Sequence, residues 1–171
     1  WSIREYWGGQ IPFDVCTAAD NPTRAAGFWA PPVDALTQEW PDQWYMNSPY
    51  GKSLKTWLEK AVAEADARKS EGIILTSAAR WEQGWLQDVL QSVCHACFIR
   101  GRVAFIRPST GDRVTGNTYA NMYMCLNIRD ESKWLACFRQ VGCCMRWQGL
   151  SGAPSETAFQ FGKKLSVIEA M

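Results

Sequence analysis

Between Ser53 and Arg68 apolar side chains recur every three or four residues, at Leu54, Trp57, Leu58, Ala61, Val62 and Ala65. Lys55, Glu59, Lys60, Glu64 and Arg68 fill the positions between them. This spacing predicts an amphipathic helix with Ser53 as its N-cap. The period then changes: EGIILTS, residues 71–77, is a short apolar run that predicts a strand. Helical spacing returns at Trp81, Trp85, Leu86, Val89, Leu90 and Val93, and ACFIR, VAFI and ANMYMCLN read as three further strands. Upstream, IPFDVCT (11–17) and WYMN (44–47) are brief strand-like runs, separated by the turn formers of DNPTRAAGFWAPP. A last helix is expected from Lys133 to Val141.

Strand, helix, strand, helix, strand is the order of a parallel α/β sheet with right-handed crossovers. Ligands of such sheets bind beyond the carboxyl ends of the strands. Asp14 with its following loop, and the turn at residues 47–50, are therefore expected to face one crevice. Asp14 needs partners in any case, because an acid inside an apolar strand is costly to bury alone. The length of 171 residues fits one domain spanning 1–171, with residues 128–171 as a C-terminal extension of unassigned role.

Composition narrows the setting. Apolar residues make up 47% of the chain, enough for a substantial core and against disorder. No run of eighteen apolar residues and no basic-then-apolar leader occurs, so neither a membrane span nor a secretory signal is expected. Trp1 rather than Met opens the chain, from which a few missing native residues are expected. Seven cysteines, mostly among apolar neighbours, point to a reduced, cytoplasmic protein whose thiols fill a core. CHAC has a zinc-like spacing around the single His95, yet no second CxxC completes a four-ligand set, so no metal is expected. The net charge of +1 leaves any affinity for nucleic acid to local clusters. One exists in RGRVAFIRPSTGDR, where Arg100, Arg102, Arg107 and Arg113 outnumber Asp112, and it reads equally as a solvated loop or a phosphate-contacting surface.

The stretch NSPY, residues 47–50, carries the chemistry. The exocyclic amine of adenine is a poor nucleophile because its lone pair is delocalised into the ring. Two fixed acceptors can bind its two hydrogens and draw the nitrogen towards an attack-ready geometry. Asn47 offers a carboxamide oxygen, Ser48 a main-chain carbonyl, Pro49 a stiffened turn and Tyr50 a stacking face for a base swung out of a duplex. Taken alone, the same four residues fit an ordinary strand-to-helix turn better than a catalytic motif.

Five segments in order add to this. The opening WS, FDVCTAADNPTRA, DALTQEW, WYMNSPYGKSLKTWLEKA and FIRGRVAF resemble segments of the phage-type DNA N-6-adenine methyltransferases, small Dam-like enzymes of bacteriophages and prophages, over Trp1 to about Asn127. The resemblance implies a Rossmann-like S-adenosylmethionine-dependent fold, with flanking helices on the sheet, acting in a host bacterial cytoplasm. It implies that Asn47, Ser48, Pro49 and Tyr50 are catalytic, that Ser2, Asp14, Cys16 and Asp34 lie at the S-adenosylmethionine pocket, and that Arg80, Arg100 and Arg102 meet double-stranded DNA carrying a flipped adenine, with Arg107 added from the basic cluster. Ser48 stands where the family has a proline, Arg80 is displaced by one position, and TAADN lacks a glycine.

Two other functions fit the same residues. A DNA-binding relative that has lost turnover is compatible with Ser48 and with ten tryptophans, whose rings can stack on bases. A methyltransferase acting on a glutamine amide uses the same pair of acceptors.

Overall fold

The computed structural model describes residues 2–106, 110, 112–114 and 119–147. Its elements are α1 (Ser2–Tyr6), β1 (Phe13–Asp14), β2 (Gly27–Phe28), β3 (Gln43–Met46), α2 (Leu54–Arg68), β4 (Glu71–Ser77), α3 (Gly84–Leu90), β5 (His95–Ile99), β6 (Phe105–Ile106), β7 (Arg113–Val114), β8 (Asn121–Leu126), α4 (Glu131–Phe138) and β9 (Gly142–Arg146). Seven strands form one sheet in the order β2-β1-β3-β4-β8-β5-β9, while β6 and β7 pair separately.

The sheet is mixed rather than wholly parallel. β2, β1, β3 and β4 run together, β8 lies antiparallel between β4 and β5, and β9 is antiparallel at the β5 edge. Two antiparallel pairings in succession give β5 the direction of β4. The carboxyl ends of β1, β3, β4 and β5 thus share one edge, at which β8 enters through Asn121, opposite Ser77.

The strand alternation sorts side chains into two cores. Trp44, Met46, Ile74, Ala96, Met122 and Met124 lie on the face covered by Leu58 of α2 and Leu86, Val89 and Leu90 of α3. Tyr45, Ile73, Leu75, Cys97 and Cys125 point the other way, towards Ile3 and Tyr6 of α1 and Trp134 and Phe138 of α4. Because both faces are covered, β4 is apolar at successive positions rather than at alternate ones. At Gly72 a Cβ would lie 2.2 Å from the Trp44 ring, so only glycine lets that indole lie flat across β4. At the other end of the sheet the buried Glu71 carboxylate accepts from the Tyr6 hydroxyl, the Trp7 indole at 3.1 Å, the Gln43 amide at 2.8 Å and the Arg129 main chain at 2.9 Å. This cluster ties α1 to the sheet.

Several sequence expectations are adjusted. Ser53 makes no side-chain cap bond, since its own backbone is already helical (φ −83°, ψ −9°) where a capping residue is extended. α3 is shorter than the span from Trp81 to Val93, because the Trp81 indole turns back to the Ala78 carbonyl at 3.1 Å and its ring stacks on Phe98. α4 starts at Glu131, where Asp130 caps it by accepting from the Lys133 N–H at 2.9 Å, and it ends at Phe138. IPFDVCT contributes only Phe13 and Asp14 to the sheet. The segment after Asn127 supplies α4 and the edge strand β9. Cys97, Cys125 and Cys137 are buried as expected of core thiols, whereas Cys143 is exposed; all seven are free.

Candidate functional site

The first wall of the site grows from β1. Phe13 and Asp14 are aligned with Gly27 and Phe28 of β2, and the Val15 N–H reaches across to the Tyr45 carbonyl at 3.0 Å. Asp14 is therefore held in the sheet and is 1% exposed. Its carboxylate accepts from the Cys16 N–H at 3.1 Å and the Thr23 hydroxyl at 2.7 Å. Burial nevertheless wins and raises the Asp14 pKa, against the Thr23, Cys16 and Thr17 bonds that lower it. Burial, with the Asp14 charge beside it, pushes the Cys16 thiol up to about 11, so this cysteine is a neutral wall rather than a nucleophile. The loop between β1 and β2 is shaped by Asn21, whose side chain accepts from the Ala25 N–H at 3.1 Å and donates to the Ala25 carbonyl at 3.0 Å.

The second wall is the turn after β3. β3 ends at Met46, so Asn47 and Ser48 leave the ladder at the shared carboxyl edge. Among the described residues no donor occupies the Ser48 carbonyl, and the Ser48 hydroxyl is buried without a hydrogen-bond partner. Asn47 is half-buried; its Oδ1 accepts from the Tyr50 hydroxyl at 3.2 Å. Burial pushes the Tyr50 phenol up to about 12, while a bond from Asn121 lowers it, so the hydroxyl keeps its proton at neutral pH.

Asp14, Cys16, Asn47, Ser48, Pro49 and Tyr50 all line one cavity of about 740 Å³. That volume lies in the range of small-molecule and cofactor pockets. Its remaining walls include Ala18, Ala19, Pro22 and Pro31, small or apolar side chains that leave space close to the backbone. Two contributors were not picked out in the sequence. Phe105 of β6 closes the cavity beside Tyr50, their rings edge to face at 6.2 Å and 70°. Asn121, buried at the start of β8, donates to the Tyr50 hydroxyl at 3.2 Å. Phe105 is the last residue of FIRGRVAF, whereas nothing in the linear pattern sets Asn121 apart from an ordinary strand residue.

Other expected residues lie elsewhere. Ser2 borders a separate hollow with Glu5, Tyr123, Gln140 and Val141, because α1 packs on α4 rather than over the cavity. Asp34 is exposed and does not line the cavity; its carboxylate caps a short 3-10 turn, Ala35–Thr37, by accepting from the Leu36 N–H at 3.0 Å. Arg80, Arg100 and Arg102 are exposed, following β4 and β5 at the same sheet edge as the cavity. Arg107 and Trp1 lie outside the described residues. His95 faces a different hollow at the opposite end of β5. Among the described residues no three His, Cys, Asp or Glu side chains gather as a metal site, and no helix is long and apolar enough to cross a membrane.

The cavity is thus lined by residues that carry a buried carboxylate, a carboxamide, a main-chain carbonyl with no donor among the described residues, and an aromatic ring. A comparison with curated proteins finds no match. Residues 1–139 match the family model described as DNA N-6-adenine-methyltransferase (Dam).

Proposed function

Since the chain belongs to the DNA N-6-adenine-methyltransferase (Dam) family, we propose that it transfers a methyl group from S-adenosylmethionine to the N6 amine of an adenine flipped out of double-stranded DNA. The observation that carries this reading is the meeting of two strand ends: Asp14 at the end of β1 and the Asn47–Tyr50 turn after β3 line the same cavity. Asn47 Oδ1 and the Ser48 carbonyl accept the two hydrogens of the amine and orient its lone pair. Tyr50 provides the face on which the extruded base stacks. Tyr50 is 38% exposed, so the residue is open to a partner at the surface.

The cofactor fits the residues present. The Asp14 carboxylate gives an acceptor for a cationic, hydroxyl-bearing ligand, the unpartnered Ser48 hydroxyl gives a further polar contact, and the alanine and proline walls accept a flat apolar surface. When bound, S-adenosylmethionine supplies a methyl group on a sulfonium sulfur that is already a good leaving group. No strong general base is needed beside Asn47. Arg80, Arg100 and Arg102 provide phosphate contacts that hold the duplex at the cavity edge.

The test is to incubate the protein with methyl-labelled cofactor and unmethylated DNA of mixed sequence and to digest the DNA to nucleosides. Label is expected in N6-methyladenine. Label confined to protein would favour the glutamine-amide reading, and DNA binding with no cofactor binding would favour the relative without turnover.

A further inference from the structure

Resting on that reading, we propose that Asn121 is a positioning residue that fixes which atom of the Asn47 carboxamide faces the substrate amine. Asn121 is 1% exposed and stands where β8 meets the carboxyl edge of β4. Its Nδ2 lies 3.4 Å from the Thr76 carbonyl and 3.2 Å from the Tyr50 hydroxyl. A main-chain carbonyl can only accept, so the Thr76 oxygen selects the nitrogen end of the Asn121 amide. That amide donates to Tyr50, and the hydroxyl hydrogen is left to point at Asn47 Oδ1, 3.2 Å away.

The consequence lies at the far end of the relay. A primary carboxamide can turn over, exchanging an acceptor for a donor at nearly equal shape. With NH2 towards the cavity, Asn47 would oppose the hydrogens of an amine rather than bind them. A hydroxyl that donates to Oδ1 fixes the acceptor in place, and because that oxygen has two lone pairs, one stays available for the substrate. The phenol stays protonated at neutral pH, so the donor is always present. Hydrogens thus run in one direction, from Asn121 to Tyr50 to Asn47, set by a carbonyl of the central strand. The Tyr50 ring stacks on the base while its hydroxyl aligns the acceptor.

Two variants test this, Tyr50→Phe, which keeps the ring, and Asn121→Leu, which keeps the approximate volume. Each is expected to lower kcat for adenine methylation about fivefold, the effect of one hydrogen bond, with the cofactor Kd unchanged. The double variant is expected to be no slower than either single one, since both interrupt the same relay. Independent losses, multiplying to about 25-fold, would overturn the relay. A readout independent of turnover is the Asn47 side-chain amide in 15N-asparagine-labelled protein, assigned by its disappearance in Asn47→Ala. Its order parameter should fall alike in Tyr50→Phe and Asn121→Leu; an unchanged amide in the Tyr50→Phe protein would also overturn the relay. Should the amide respond while wild-type protein transfers no methyl to adenine, the relay stands and the proposed activity falls.

Discussion

Replacing Asp14 by asparagine separates the carboxylate's charge from its shape. In the native chain its oxygens accept from the Cys16 N–H at 3.1 Å and the Thr23 hydroxyl at 2.7 Å. An asparagine can keep Oδ1 on the Cys16 N–H and offer Nδ2 to the Thr23 oxygen, whose own hydrogen turns to Asn21 Oδ1, 3.2 Å away. Asp14→Asn also removes a buried charge, so stability at neutral pH is expected to stay within about 1 kcal/mol of the native chain or to rise slightly. Cofactor affinity should behave differently. A charge-assisted hydrogen bond contributes about 1.5–3 kcal/mol, so its loss should weaken S-adenosylmethionine binding by about 10- to 150-fold in titration calorimetry.

The pH dependence sharpens this test. Burial raises the Asp14 pKa above its ordinary value of 3.8, so a proton competes with a cationic ligand earlier than at a surface aspartate. Native affinity should fall as pH drops through that raised pKa, while Asp14→Asn should show no such fall. For folding the sign is reversed: a raised carboxyl pKa contributes stability that is fully present below 3.8 and lost as pH rises through the folded value. Equal cofactor affinity in the two proteins, with the variant folded, would refute the assignment of Asp14 to the cofactor.

Four other variants bear on the frame and the surface. Gly72→Ala drives a Cβ to 2.2 Å from the Trp44 ring and should cost about 2–3 kcal/mol, read as a lower urea midpoint at constant slope; an unchanged midpoint would mean that the indole can move aside. Glu64 accepts from the Trp40 N–H at 3.0 Å and from Lys60 and Arg68, so Glu64→Ala leaves a buried N–H unpaired and should cost about 2–4 kcal/mol in the same assay. Desolvation opposes ionisation of Glu64, but the Lys60, Trp40 and Arg68 contacts win and hold its pKa below 4.5. Its contribution to stability is therefore present above that value and lost as pH falls through the lower folded pKa, a dependence absent in the alanine variant. If Arg100 and Arg102 contact phosphates, Arg100→Ala and Arg102→Ala should each flatten the salt dependence of DNA binding by about one unit of log K against log salt; unchanged slopes would place both in solvent.

Much of this frame was legible because it is local. Repeated spacing in α2 and the unbroken apolar run of β4 report each element from its own residues, and the turn chemistry of residues 47–50 marks where β3 must stop. β2 and β9 were not legible: two residues inside a turn-rich loop and a cysteine-bearing tail become strands only because β1 and β5 offer them an edge. The direction of β8 was hidden for the same reason, since an antiparallel strand inserted between parallel neighbours leaves no period in the chain.

At the site, Asp14, Cys16 and the 47–50 turn reached one cavity because each lies at or just past the end of a strand that stops at the same edge. Ser2 and Asp34 were named from resemblance alone, and their surroundings explain why they stand apart. α1 is drawn to the opposite core by Ile3 and Tyr6, and Asp34 is used by its own turn. Asn121 could not be found in advance. Its position beside Tyr50 comes from the register that pairs it with Ser77, forty-four residues earlier in the chain.

The most direct measurement is methyl transfer by Asn47→Ala, run beside calorimetric titration of the same protein with S-adenosylmethionine. Formation of N6-methyladenine should drop by about 100-fold or more, as when an oriented acceptor or oxyanion donor is deleted, while cofactor affinity stays at the native level. Native-rate methylation by Asn47→Ala would contradict a carboxamide acceptor at the amine, and a matching loss of cofactor affinity would make Asn47 a binding residue instead.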